Sequence, residues 1–181
     1  MNKSSTTAAT GQGRFAPLIP LIRAADGLSL GQVCSLTGLE PSTIQNWIKR
    51  GFVPHPEHKR YGERHMARIM LINALRDCLL IERVGELTRY INGEIDDQSD
   101  DLIAEEALYD LFIEAAEELS ARRIPPDQVG EAVAALAGER VSDPAARKRI
   151  APALTVMVNA YIAAQYKREA DRLYEELVAG D

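Results

Sequence analysis

The chain is 181 residues long and 46% hydrophobic, with a net charge of −6 and two cysteines. That apolar content supports one domain of good size, or a small domain with a second helical part, and excludes wholesale disorder. No run approaches the ~18 apolar residues needed to cross a membrane; the opening MNKSSTTAATGQG lacks the apolar stretch of a secretory signal; and Cys34 and Cys78 offer no disulfide framework, so a reducing cytoplasm is expected.

The net charge conceals an asymmetry. Residues 1–91 hold 12 Lys/Arg against 7 Asp/Glu, a net of +5, and residues 92–181 hold 9 against 20, a net of −11. Such a division suggests a basic working part and an acidic remainder. Its boundary falls on NGEIDDQSDD (92–101), whose polarity reads as a linker or long turn.

Residues 1–13 read as a flexible tail. In FAPLIPLI (15–22), Pro17 and Pro20 deny a long helix, leaving a short helical turn or an extended arm packed on the first domain. Ser29-Leu30-Gly31-Gln32 is a capping box that opens a helix. Leu30, Val33, Cys34 and Leu36 give that helix its buried face, and Gly38 ends it because glycine tolerates the left-handed conformation. Pro41 suits the first position of a second helix, which buries Ile44, Trp47 and Ile48. Ser42, Thr43, Gln45, Asn46, Lys49 and Arg50 remain on its outer faces, and Gly51 ends it. Two helices joined by about four residues containing glycine follow the pattern of a helix-turn-helix.

FVPHPEHKRY (52–61) carries two prolines and predicts a short hairpin or irregular wing. A helix over about 63–77 follows, with Met66, Ile69, Met70, Ile72 and Leu75 inside, and a shorter one over about 81–91 built on Val84, Leu87 and Ile91. In the acidic half, Leu108, Leu111, Phe112, Ala115 and Leu119 form one helical stripe over about 101–121. A short helix over about 127–138 ends at Gly138. Asp143-Pro144 starts a last helical run, which Pro152 kinks or restarts. From Leu154 onward, Val158, Ile162, Tyr166, Leu173 and Leu177 continue as a stripe, either intrachain core or a dimer face.

LSLGQVCSLTGLEPSTIQNWIKRGFVP, KRYGERHMARIMLINALRD and CLLIERV, in this order and spacing, resemble the DNA-binding head of the MerR-type winged-helix regulators over about 65 residues. The rest departs from those regulators and is similar to a bacterial family of unknown function that joins such a head to a helical C-terminal region. The resemblance implies a DNA-binding fold, a regulatory role and dimers working on two half-sites. It maps the recognition helix onto Ser42–Arg50, with Gln45 and Asn46 where the family has a basic and an aromatic residue. Both can present a donor–acceptor edge to adenine. Arg60-Tyr61, preceded by Lys59, matches the wing's phosphate-contacting pair.

Six basic residues (Lys49, Arg50, Lys59, Arg60, Arg64 and Arg68) against Glu57 and Glu63 strengthen the DNA reading. His55, His58 and His65 lack the spacing and companions of a zinc site and read as solvated wing histidines. Cys34 and Cys78 read as small buried residues, and the second half has no cysteine for thiolate metal sensing. No catalytic motif is present, so neither an enzyme nor a cofactor is expected.

The expected fold is all-α with a small β wing: a MerR-like winged helix-turn-helix domain at 14–92, an acidic linker at 93–101 and a helical C-terminal domain at 102–181. The expected partner is double-stranded DNA, read by Ser42, Thr43, Gln45, Asn46, Lys49 and Arg50 and held at phosphates by Lys59, Arg60, Tyr61 and Arg64. A homodimer is expected through the second half, which could also take a small-molecule or protein effector. The alternative is a protein-interaction adaptor using the acidic half.

Overall fold

The computed structural model describes residues 14–179, which form eight α-helices and a short 3-10 turn and contain no strand among the described residues. The first apolar run resolves into the 3-10 turn Ala16–Leu18 and helix α1 (Ile19–Ala24), each with a proline in its opening turn. The Ser29 capping box starts α2 (Leu30–Thr37), with Ser29 Oγ accepting from the Gln32 amide at 3.3 Å and Gln32 Oε1 from the Ser29 amide at 2.8 Å. α2 ends at Gly38, at a φ of 70°. The turn is held down by Leu39, which is buried, and α3 (Pro41–Lys49) follows with Pro41 in its first turn.

α4 (Glu63–Leu75) and α5 (Ile81–Asn92) complete the basic half. In the acidic half come α6 (Glu105–Ala121), α7 (Val129–Arg140) and α8 (Pro144–Ala179). Asp143 caps α8, its two carboxylate oxygens accepting from the Ala145 and Ala146 amides at 3.0 and 3.2 Å. Pro152 neither ends nor restarts this helix, which runs unbroken through its 36 residues, roughly 54 Å at the usual rise. The missing amide removes one intrahelical bond, and the neighbouring turns supply the rest.

Several expectations are corrected. The anticipated β wing contains no strand: two isolated antiparallel bridges, Leu28 with Tyr61 and Glu57 with Arg60, are all the pairing it has. α7 passes through Gly138 to Arg140. Leu36 faces solvent, and Thr37 takes the inner position, its hydroxyl donating to the Val33 carbonyl at 2.8 Å. Cys78 is exposed rather than buried. The expected flexible tail, 1–13, lies outside the described residues.

One hydrophobic core runs from Phe15 to Tyr161. α4 is its spine, packing on α2 and α5 and also on α6 and α8. Phe15 meets the Tyr109 ring edge-on at 6.3 Å between centroids, and Phe112 meets Tyr161 at 5.6 Å. Through the middle of this core passes an ion pair. Arg68 of α4 and Glu105 in the first turn of α6 are 4% and 2% exposed. Arg68 makes a two-pronged contact with both carboxylate oxygens and also donates to the buried Thr88 hydroxyl of α5. Thr88 in turn bonds the Val84 and Gly85 carbonyls at 3.2 and 3.0 Å.

A second polar device closes the acidic stretch. Asn92, buried at the end of α5, accepts from the Leu102 and Ile103 amides at 3.1 and 3.2 Å and donates to the Ile103 carbonyl at 2.7 Å.

Removing Glu105 strands a buried guanidinium. Glu105→Ala is expected to cost ~3–5 kcal/mol in urea unfolding, whereas replacing both Arg68 and Glu105 with methionine recovers most of that loss. Equal losses in the single and double variants would contradict the role given to the pair.

Candidate nucleic-acid interface

α3 has two distinct faces. Ile44, Trp47 and Ile48 are buried, while Ser42, Gln45, Asn46 and Lys49 are exposed and Thr43 is half-buried. Positions 42, 45, 46 and 49 recur at the i, i+3, i+4, i+7 interval of a single helix face. Among the described residues, none of these four side chains is tied by a hydrogen bond or ion pair to the rest of the chain. A stripe of uncommitted donors and acceptors therefore lies opposite the side that anchors the helix.

Arg50, just past α3, is held differently. Its guanidinium pairs with Glu82 at the start of α5 and lies 4.8 Å from the centroid of the Phe52 ring, yet its side chain keeps 42% of its exposure.

The segment expected as a wing is a tight turn. The Arg60 amide donates to the Glu57 carbonyl at 2.7 Å, and the two central residues, His58 and Lys59, have φ of 48° and 60°. Positive φ at both central positions marks a type I′ turn, the form that suits a hairpin's twist. At its root, Leu28 and Tyr61 exchange both backbone hydrogen bonds at 2.9 Å, so the turn is fastened beside the start of α2. Gly27 allows the approach: its φ is +83°, and a Cβ there would sit 2.9 Å from Arg60 Cβ.

Lys59 and Arg60 on this turn are exposed, with Arg60 Nη1 donating to the Gly27 carbonyl at 3.4 Å. Tyr61 is instead 4% exposed, a root residue of the turn rather than a side chain open to solvent. Arg64 is turned toward the acidic stretch, with its Nη2 4.0 Å from Asp101 Oδ2 and its side chain 16% exposed. Arg64 Nε and Asp101 Oδ1 are both buried without a hydrogen-bond partner among the described residues. Burial pushes the Asp101 carboxyl up, against the opposing pull of Arg64. The turn, the start of α4 and residues Asp96 and Gln98 together border an open cleft of about 470 Å³.

Of the six basic residues that the sequence groups together, Arg68 lies in the core and Arg64 is largely covered, which leaves Lys49, Arg50, Lys59 and Arg60 at the surface. Arg68 carried a readable signal, because it falls on the helical stripe of Leu71, Ile72 and Leu75. Its partner Glu105 lies 37 residues away and left no such trace.

His65 also departs from the expected solvated role. Its Nδ1 accepts from the Gly62 amide at 3.1 Å, and its Nε2 lies 3.3 Å from the His55 carbonyl, to which it can only donate. That arrangement needs the neutral ring. Burial, with a smaller contribution from Arg64, holds its pKa below the ordinary value, opposed by the His55 carbonyl and Glu57. His55 and His58 are exposed. Among the described residues, no group of three or more His, Cys, Asp or Glu side chains converges as metal ligands would, and no helix is long and apolar enough to cross a membrane.

A family model described as "Domain of unknown function (DUF1836)" matches residues 27–112. The matched stretch includes α2 to α5 and extends across the acidic segment into α6, so it contains Arg68, Thr88, Asn92 and Glu105 together. The chain is also similar to the uncharacterized protein YkrK of Bacillus subtilis (strain 168), at 31% identity over 87 residues. The aligned stretch spans 46% of this chain and 37% of that relative's length. No solved structure matches the chain.

Gly27→Ala forces a side chain into a left-handed conformation against Arg60. It is expected to lower stability by on the order of 1–3 kcal/mol in urea melts; an unchanged midpoint would remove the constraint assigned to Gly27. The His65 prediction concerns pH. Its folded pKa is lowered, so the unfolded chain binds the proton more readily. The stability it contributes is complete above its unfolded pKa of about 6.5 and falls as pH drops from there toward the folded value. The melting temperature of the wild type should fall more between neutral and mildly acidic pH than that of His65→Gln, in which Gln can still accept from Gly62. Superimposable profiles would refute this account.

Proposed function

We propose that the chain binds double-stranded DNA as a transcriptional regulator, through a MerR-like winged helix-turn-helix unit within residues 14–92. The observation that carries this reading is the stripe of Ser42, Gln45, Asn46 and Lys49 on α3, exposed and uncommitted opposite a buried anchor of Ile44, Trp47 and Ile48. In the proposed complex α3 enters the major groove, where Gln45 and Asn46 each match the donor–acceptor edge of adenine. The Glu57–Arg60 turn serves as a reduced wing, with Lys59 and Arg60 on phosphates fixing the register.

Arg50 joins them by exchanging Glu82 for a phosphate, a small step because an exposed ion pair of this kind is worth only ~0–1 kcal/mol. Tyr61 supports the root of the wing from inside. Residues 102–181 form the dimerising or effector part of the proposal, and no reaction is assigned to the chain.

Fluorescence anisotropy against random duplexes at several salt concentrations tests the reading. Binding should weaken with a log–log slope of about −0.9 per phosphate neutralised. Arg60→Ala should reduce that slope by about one unit on every sequence, and Gln45→Ala should cost ~1–3 kcal/mol on a selected site while leaving non-specific binding intact. Absence of binding even at low salt overturns the proposal in favour of a protein-binding adaptor.

A further inference from the structure

α8 outruns the core. Its last buried residue is Ala164, and every residue from Tyr166 to Ala179 is exposed. This arm carries a concentration of large apolar side chains, with Tyr166 71%, Leu173 51%, Tyr174 63% and Leu177 73% exposed. Single exposed apolar residues are ordinary on a protein surface, but a contiguous patch marks a contact.

The pattern is regular. Tyr166, Ala170, Leu173 and Leu177 recur at intervals of four, three and four, the alternation of a heptad seam. Arg168, on the opposite side of the helix, bonds Asp77 beyond the end of α4 at 2.9 Å. The body of the protein therefore lies behind the arm, and the seam faces away from it.

We propose that this seam is where two copies of the chain pair, with their arms antiparallel. The seam's own pattern selects the occupant and its direction. Antiparallel arms oppose their helix dipoles, whereas parallel arms align them and set each seam side chain against its own copy.

About a two-fold axis between Asp171 and Arg172, Tyr166 of each copy meets the partner's Leu177, and Ala170 meets the partner's Leu173. Each small residue thus faces a large one, and the contact is self-complementary, as a two-fold dimer requires. The tip also reaches a shallow groove at the other copy's root, about 240 Å³ in volume and lined by Leu119, Ile124, Ile162 and Tyr166.

Tyr166, Leu173 and Leu177 of each copy together bury less than the ~1,200 Å² at which stable interfaces begin. The dimer is therefore reversible and concentration-dependent. It stands independently of nucleic-acid binding.

Sedimentation velocity of the full chain across the micromolar range is the test. The wild type should move from the mass of one chain, 19.9 kDa, toward that of two. Leu173→Glu with Leu177→Glu should stay at one with unchanged circular dichroism, since both residues are exposed. A wild type that stays monomeric, or a double variant that still pairs, overturns the proposal. Direction is read in a Cys78→Ser background. Tyr166→Cys chains mixed with Leu177→Cys chains should form an interchain disulfide, and Tyr166→Cys chains alone should not. A self-linked Tyr166→Cys dimer, or a mixture that fails to link, overturns the antiparallel pairing.

Discussion

The constraint on which the rest of this structure depends is the buried contact of Arg68 with Glu105. A guanidinium and a carboxylate withdrawn from water are tolerable only when each satisfies the other, and here both prongs engage while Thr88 takes a further donor. Glu105 has additional help from its place in the first turn of α6, where the helix dipole favours negative charge. The pair joins the basic half to the acidic half at their common centre, with α4, α5 and α6 each contributing a side chain. Helices that differ in charge are in this way fixed around one spine.

This arrangement alters what the charge pattern means. A tally along the chain places six basic residues close together, yet folding spends two of them internally: Arg68 on Glu105, and Arg64 against Asp101. What reaches the surface is a shorter set, Lys49 and Arg50 at the end of α3 and Lys59 and Arg60 on the turn. The acidic stretch is thus more than a spacer, since it folds back beside the start of α4 and borders the cleft under the turn.

Local grammar was legible in the sequence. Ser29 with Gln32, Gly38, Pro41 and the Ile44–Trp47–Ile48 stripe announced α2 and α3 because each acts within a few residues of itself. Thr88 could have been found the same way, falling between Val84 and Ile91 on one helical stripe. What escaped were partnerships between distant residues, such as Arg68 with Glu105 and Asn92 with Ile103, which carry no periodic mark. The strands expected of the wing are missing for a different reason: a hairpin of two isolated bridges needs only one tight turn, and this turn reaches positive φ with His58 and Lys59 where glycine or asparagine would have signalled it. Of the two readings of Pro152, the restart is set aside by the continuous α8, because a proline inside a long, well-supported helix removes a single hydrogen bond without ending it.

Asn92 gives the acidic stretch a property of its own. By bonding both the amide and the carbonyl at Ile103, its side chain stands in for a strand neighbour and closes residues 92–103 into a ring. Glu94 to Asp100 then hang from a fixed neck, so the ends of the stretch are set by Asn92 rather than by its length. Because closing a longer flexible loop costs only about 0.6 kcal/mol for each doubling of its length, this is where the chain can absorb inserted or deleted residues. Evolution, or an engineer splicing in a reporter peptide, has a socket there that leaves the spine untouched.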